Sequence, residues 1–239
     1  MPEKLILFDI PDKNGACWSL NPWKTRLALN YKGIDYETEW LEYPDIEGRL
    51  KPTGLEGDSN QIAPYTCPAV QFPDGTYIMN SAKIIKRLEA DYPERPLHHD
   101  SEVLQEMYDL LSKTFDALVP ELLPYIPRDV LSEKSAEYFW RTRKARFGMS
   151  LDELQETKGG EQVWANAKEV LEETAALLNR TEGPFFLGNM VSYTDFVYVG
   201  FLFFVKNIKE EHYQRIVQHS DAFEKLYEAC SKWLEQGDY

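Results

Sequence analysis

The chain changes texture near residue 95, and this change restricts the possible folds more than any other feature of its 239 residues. Before it, short β-like runs alternate with helical ones and turn residues are dense. Leu5–Ile10 and Tyr36–Tyr43 read as strands. Ala69–Phe72 and Thr76–Asn80 flank Pro73-Asp74-Gly75. Pro presets φ and Gly accepts a positive φ, so this pair reads as a β-hairpin. Pro22–Tyr31 carries Trp23, Leu27, Ala28 and Tyr31 at helical spacing, and Lys32-Gly33 ends it. Ser81–Asp91 places Ile84, Ile85 and Leu88 on one face, with Pro93 following. The order is β-α-β, then an irregular acidic stretch over Asp45–Pro64, then β-β-α.

Beyond the break, apolar residues recur every three or four positions in 102–119, 133–147, 161–179, 192–208 and 220–234. Pro and Gly clusters separate these segments. The segment 192–208 is apolar nearly all round, which predicts a buried central helix. The expected organisation is an α/β unit over residues 1–95, a linker over 96–100 and an all-helical unit over 101–239.

Composition narrows the function classes. There are 26 basic and 40 acidic side chains, a formal net charge of −14. Such a chain lacks the basic footprint that nucleic acid or an anionic membrane surface requires. Cys17, Cys67 and Cys230 are odd in number and far apart, which is neither a disulfide framework nor a CxxC centre. No apolar run approaches the ~20 residues of a spanning helix. Leu5–Phe8 is shorter than the about 7–15 residues of a secretory core. The expectation is a cytoplasmic protein. Adjacent His98 and His99 do not converge as metal ligands, so no metal site is expected.

Three places could carry chemistry. Ser19 ends a loop just before the first helix, where unpaired N–H groups and the dipole favour an anion or a thiolate. Plain N-capping by Ser19 or Asn21 is the alternative. Cys67-Pro68 precedes the hairpin and is a candidate cis peptide whose backbone can pair with an extended ligand. An ordinary trans proline opening a strand is the alternative. Asn80-Ser81 opens the third helical segment and suits a carboxylate, or is simply a cap. Ser192 and Asp195 have the spacing of a capping box and read as structural.

In their joint order these features resemble the cytosolic glutathione transferase family over nearly the whole chain. Lys24-Thr25-Arg26-Leu27 and Lys32-Gly33-Ile34 are the closest local match. The sequence is most similar to the fungal FuA class, related to bacterial β-etherase-type transferases. The resemblance implies a thioredoxin-like first domain that binds glutathione and a helical domain that shapes a hydrophobic site. It implies that the Ser19 hydroxyl stabilises the glutathione thiolate. It assigns the cysteinyl part to the Cys67 backbone beside a cis Pro68, and the γ-glutamyl group to Asn80 and Ser81. Asn80 departs from the usual acidic residue and cannot ion-pair with the γ-glutamyl ammonium. Lys51 is the candidate for the glycyl carboxylate. The partners implied are hydrophobic aromatic electrophiles or polyphenols and a second copy of the chain.

Two alternatives stay open at this level. One is a ligandin-like carrier of aromatic metabolites. The other is a glutathione-dependent thiol transferase that uses Cys17.

Overall fold

Leu5, Leu7 and Phe8 are almost wholly buried and Ile6 is partly so. A strand covered on both faces belongs in the middle of a sheet, and β1 (Leu5–Asp9) lies there. The computed structural model describes residues 4–59, 63–235 and 237. Its sheet has the order β2-β1-β3-β4, with β2 at Tyr36–Trp40, β3 at Ala69–Gln71 and β4 at Tyr77–Met79. β1 pairs with β2 in parallel, Leu5 opposite Tyr36. β1 and β3 are antiparallel, Leu7 opposite Val70, and β3 and β4 form the expected hairpin. Gly75 carries the positive φ (86°) that the turn requires.

α1 (Leu20–Lys32) makes the parallel crossover and α3 (Ser81–Asp91) follows the hairpin. The resulting βαβ–ββα order is thioredoxin-like. The second strand is shorter than its acidic alternation predicts. It stops at Trp40, and Pro44 lies in a 3-10 turn at Tyr43–Asp45. The stretch read as irregular holds α2 (Ile46–Leu50), since Ile46 and Leu50 are one turn apart and both buried.

The rest of the chain is helical: α4 (Glu102–Leu122), α5 (Glu133–Phe147), α6 (Leu151–Lys158), α7 (Glu161–Leu178), α8 (Tyr193–Ile208), α9 (Glu210–Val217) and α10 (Asp221–Leu234). α6 and α9 have eight residues each, about two turns, and escaped the sequence reading. α8 is the buried central helix that its all-round apolar sequence predicts. The capping box at its start also forms. Asp195 Oδ2 accepts from the Ser192 N–H (2.7 Å) and hydroxyl (2.8 Å). Among the described residues, no helix is long and apolar enough to cross a membrane.

α8 sets the position of α1. Phe203 lies against Trp23 with ring centroids 4.3 Å apart, and Phe204 lies 6.0 Å from Trp18. The helical unit thereby holds the helix that follows Ser19.

Candidate functional site

Ser19 is the N-cap residue of α1, with extended backbone (φ −79°, ψ 133°). Its carbonyl accepts from the Trp23 N–H, 3.2 Å. Its hydroxyl does not cap the helix, although serine there usually bonds to a first-turn N–H. Ser19 is 8% exposed. The structure therefore holds a nearly buried hydroxyl at the positive end of a 13-residue helix without using it to close that end.

The Cys67–Pro68 peptide is cis. The Pro68 carbonyl accepts from the Asn80 N–H at 3.1 Å, which ties the turn before β3 to the start of α3. Asn80 takes a positive φ of 82°, and its Oδ1 accepts from the Ala82 N–H at 2.9 Å. Asparagine tolerates that backbone better than most side chains because it is short and bonds locally. Its oxygen is thus already engaged as a cap. Among the described residues, the Ser81 N–H at the first position of α3 meets no acceptor.

A cleft of about 1090 Å³ joins these segments. Cys67, Pro68, Asn80 and Ser81 line it, together with Asn21 and Lys24 of α1, Tyr108 of α4 and the segment 53–59. Two sequence candidates lie outside its lining. Ser19 stands at the end of α1, one turn from the lining residue Lys24. Lys51 is exposed in a 3-10 turn, and its Nζ bonds Glu47 Oε1 at 3.0 Å.

Lys24 was assigned no role from sequence. It is 7% exposed, and its Nζ donates to Asn21 Oδ1 at 2.9 Å. It lies 5.8 Å from the centre of the Tyr108 ring. Among the described residues, no carboxylate lies within ion-pair distance of it. Burial pulls its ammonium down to about 8, from the usual range above 10. Nothing in its spacing signalled this, because every residue of Pro22–Asn30 is buried.

All three cysteines are buried. Burial pushes the Cys67 and Cys230 thiols well up, so both stay protonated near neutrality. Cys17 lies against Gly237, and its Sγ donates to the Gly237 carbonyl at 3.5 Å.

Comparison with known proteins agrees with this architecture. Residues 18–91 match the model of the glutathione S-transferase N-terminal domain, and residues 104–233 that of the C-terminal domain. A glutathione S-transferase-like protein of Aspergillus flavus, ustS, is 30% identical, over 92% of this chain and 87% of its own. A glutathione S-transferase of Ceriporiopsis subvermispora, solved in complex with glutathione, superposes with a TM-score of 0.86 at 29% identity, covering 97% of this chain and 98% of that one. Glutathione transferase GSTFuA2 from Phanerochaete chrysosporium gives 0.86 at 26%, covering 99% and 100%. With both halves matched in order on one fold, the chain belongs to the glutathione S-transferase family.

Proposed function

We propose that this protein binds glutathione in the cleft between α1, the Cys67–Pro68 turn and α3, and transfers its thiolate to hydrophobic aromatic electrophiles. The observation that carries the reading is Ser19, a nearly buried N-cap hydroxyl left out of capping. A hydroxyl so placed can donate to a sulfur, and the helix end favours the negative charge. The thiol proton leaves to solvent and the thiolate attacks the electrophilic carbon. A C–S bond forms, and the leaving group departs with the electron pair of the bond that breaks. The hydroxyl stabilises sulfur charge and never gives up its own proton.

The Cys67 backbone would pair with the cysteinyl part and the start of α3 with the γ-glutamyl part. The Ser81 N–H supports this, being free to donate. The glycyl carboxylate is given to no residue, since Lys51 stands outside the cleft lining. We further propose a cytoplasmic homodimer. A role for Cys17 as a nucleophile is disfavoured by its burial beneath the Gly237 carbonyl.

The test is calorimetric titration with glutathione, followed by an ultraviolet scan for the thiolate band near neutral pH. Binding together with a thiolate signal that Ser19→Ala abolishes is the expected result. No binding at millimolar glutathione would overturn the proposal.

A further inference from the structure

One corner of the cleft has an unbalanced set of charges. Lys24 supplies a nearly buried ammonium with one of its three N–H groups engaged, by Asn21. The first N–H of the eleven-residue helix α3, that of Ser81, is unpaired among the described residues. Lys24, Ser81 and Tyr108 all line the same cleft. A second buried group links two of these residues. Tyr193 is fully buried, and its hydroxyl lies against those of Ser81 and Tyr108, which brings the start of α3 beside the ring that Lys24 faces. The corner therefore offers a positive charge, a helix N-terminus and hydroxyl groups to an anion. The acidic residues of the lining, Glu56 and Asp58, come from the segment 53–59, not from α1, α3 or α4.

We propose that Lys24 is the cation that binds the α-carboxylate at the γ-glutamyl end of glutathione, in the corner between α1, α4 and the start of α3. This rests on the reading of the cleft given above. It also accounts for Asn80. Where position 80 holds an amide whose oxygen caps α3, the γ-glutamyl ammonium finds no charge there. Recognition at this end then falls on the carboxylate, through a lysine from the neighbouring helix. The protein should discriminate strongly against peptides that lack the carboxylate and weakly against those that lack the amine.

The experiment uses three peptides: glutathione, 4-aminobutyryl-cysteinylglycine (no α-carboxylate) and glutaryl-cysteinylglycine (no α-amine). Each is titrated into wild type, Lys24→Met, Lys24→Gln and Lys24→Arg. For wild type, the peptide without the carboxylate should bind about 10- to 100-fold more weakly than glutathione, the range of one charge-assisted contact. The peptide without the amine should bind within a few fold of glutathione. Lys24→Met and Lys24→Gln should weaken glutathione by the same factor and leave the decarboxylated peptide unchanged. Lys24→Arg should restore most of the loss. Should Lys24→Met unfold, the Gln and Arg variants complete the same cycle.

Equal losses for glutathione and the decarboxylated peptide would mean a structural role for Lys24 and overturn the proposal. So would undiminished glutathione binding in the Lys24 variants, with the glutathione reading itself left standing. Wild type that binds none of the peptides at millimolar concentration would overturn both.

Discussion

Gly200 of α8 passes so close to Leu20 of α1 that a Cβ at position 200 would stand 3.2 Å from the Leu20 carbonyl oxygen. That oxygen belongs to the first turn of α1, adjacent in sequence to Ser19. It is backbone, so it cannot swing aside as a flexible side chain would. The absence of a side chain at 200 therefore sets how near the helical unit approaches the end of α1. Gly200→Ala gains about 1 kcal/mol of helix propensity and loses about 1–3 kcal/mol to overpacking. Its net effect on stability is expected to stay within about 2 kcal/mol. Its effect on turnover should be larger, because the strain is relieved by shifting the turn that carries Ser19. Urea unfolding and steady-state kinetics on the same preparation check this. A variant with wild-type turnover would mean that α1 does not move.

Ser19→Ala separates capping from chemistry. A capping serine replaced by alanine costs about 1 kcal/mol, which in a chain of this size lowers Tm by roughly 2–4 °C. The Ser19 side chain makes no cap hydrogen bond. The variant should therefore melt within about 2 °C of wild type while kcat falls about 100-fold, the scale of one lost donor to a developing charge. A clear fall in Tm with unchanged kcat would reverse the assignment.

What the sequence made legible was local, and what it concealed was tertiary. The Pro73-Asp74-Gly75 turn, the Asn80 cap and the Ser192/Asp195 box are each specified within about four residues, and each forms. α8 was legible because its sequence is apolar on every face. Lys24 and Arg26 enter the sequence reading only within the local match to the family. Their burial is imposed by α8 and by Gly237, which no periodicity within α1 reveals. Lys51 was placed by the resemblance alone, and it stands outside the cleft lining. Its nearest acid is Glu47, one turn back, and the two pair on an exposed surface. α6 and α9 are too short for a periodic signal, although the Ser150/Glu153 capping box of α6 was readable in principle.

Asp9 and Arg26 form an ion pair with both side chains fully buried. Asp9 Oδ2 accepts from Arg26 Nε at 2.7 Å, and Oδ1 accepts from the Ile10 N–H at 2.6 Å. The guanidinium also donates to Thr38 Oγ1 and to the Gly237 carbonyl, both at 2.9 Å. It thus joins β1, β2, α1 and the chain end. Removing one partner leaves a buried uncompensated charge, so Asp9→Ala should lose about 3–5 kcal/mol of stability. Replacing both, as Asp9→Leu with Arg26→Met, should recover much of that loss, since no lone charge remains. Chemical denaturation of the two variants decides it. Equal losses would show that the hydrogen bonds to Thr38 and Gly237, rather than the charge, carry the contribution.

Asp195 gives the fold a pH dependence opposite to that of an ordinary paired carboxylate. Its oxygens accept three hydrogen bonds, from the Phe186 N–H and from the N–H and hydroxyl of Ser192. Burial outweighs them and raises its pKa to about 6 from 3.8. Between those values the folded chain holds a proton that the unfolded chain has released. The contribution is full below about pH 4 and is lost as pH rises through about 6. Its size is on the order of 3 kcal/mol, at 1.36 kcal/mol per pKa unit. Asp195→Asn does not titrate there and loses one acceptor facing Ser192, so it should be less stable than wild type throughout. The gap should be wide at pH 4.5 and narrow at pH 7.5. Denaturant unfolding of both proteins at a series of pH values measures that gap. A gap that widens toward pH 7.5 would mean that the three donors and the helix end outweigh burial, and that Asp195 is held as a carboxylate.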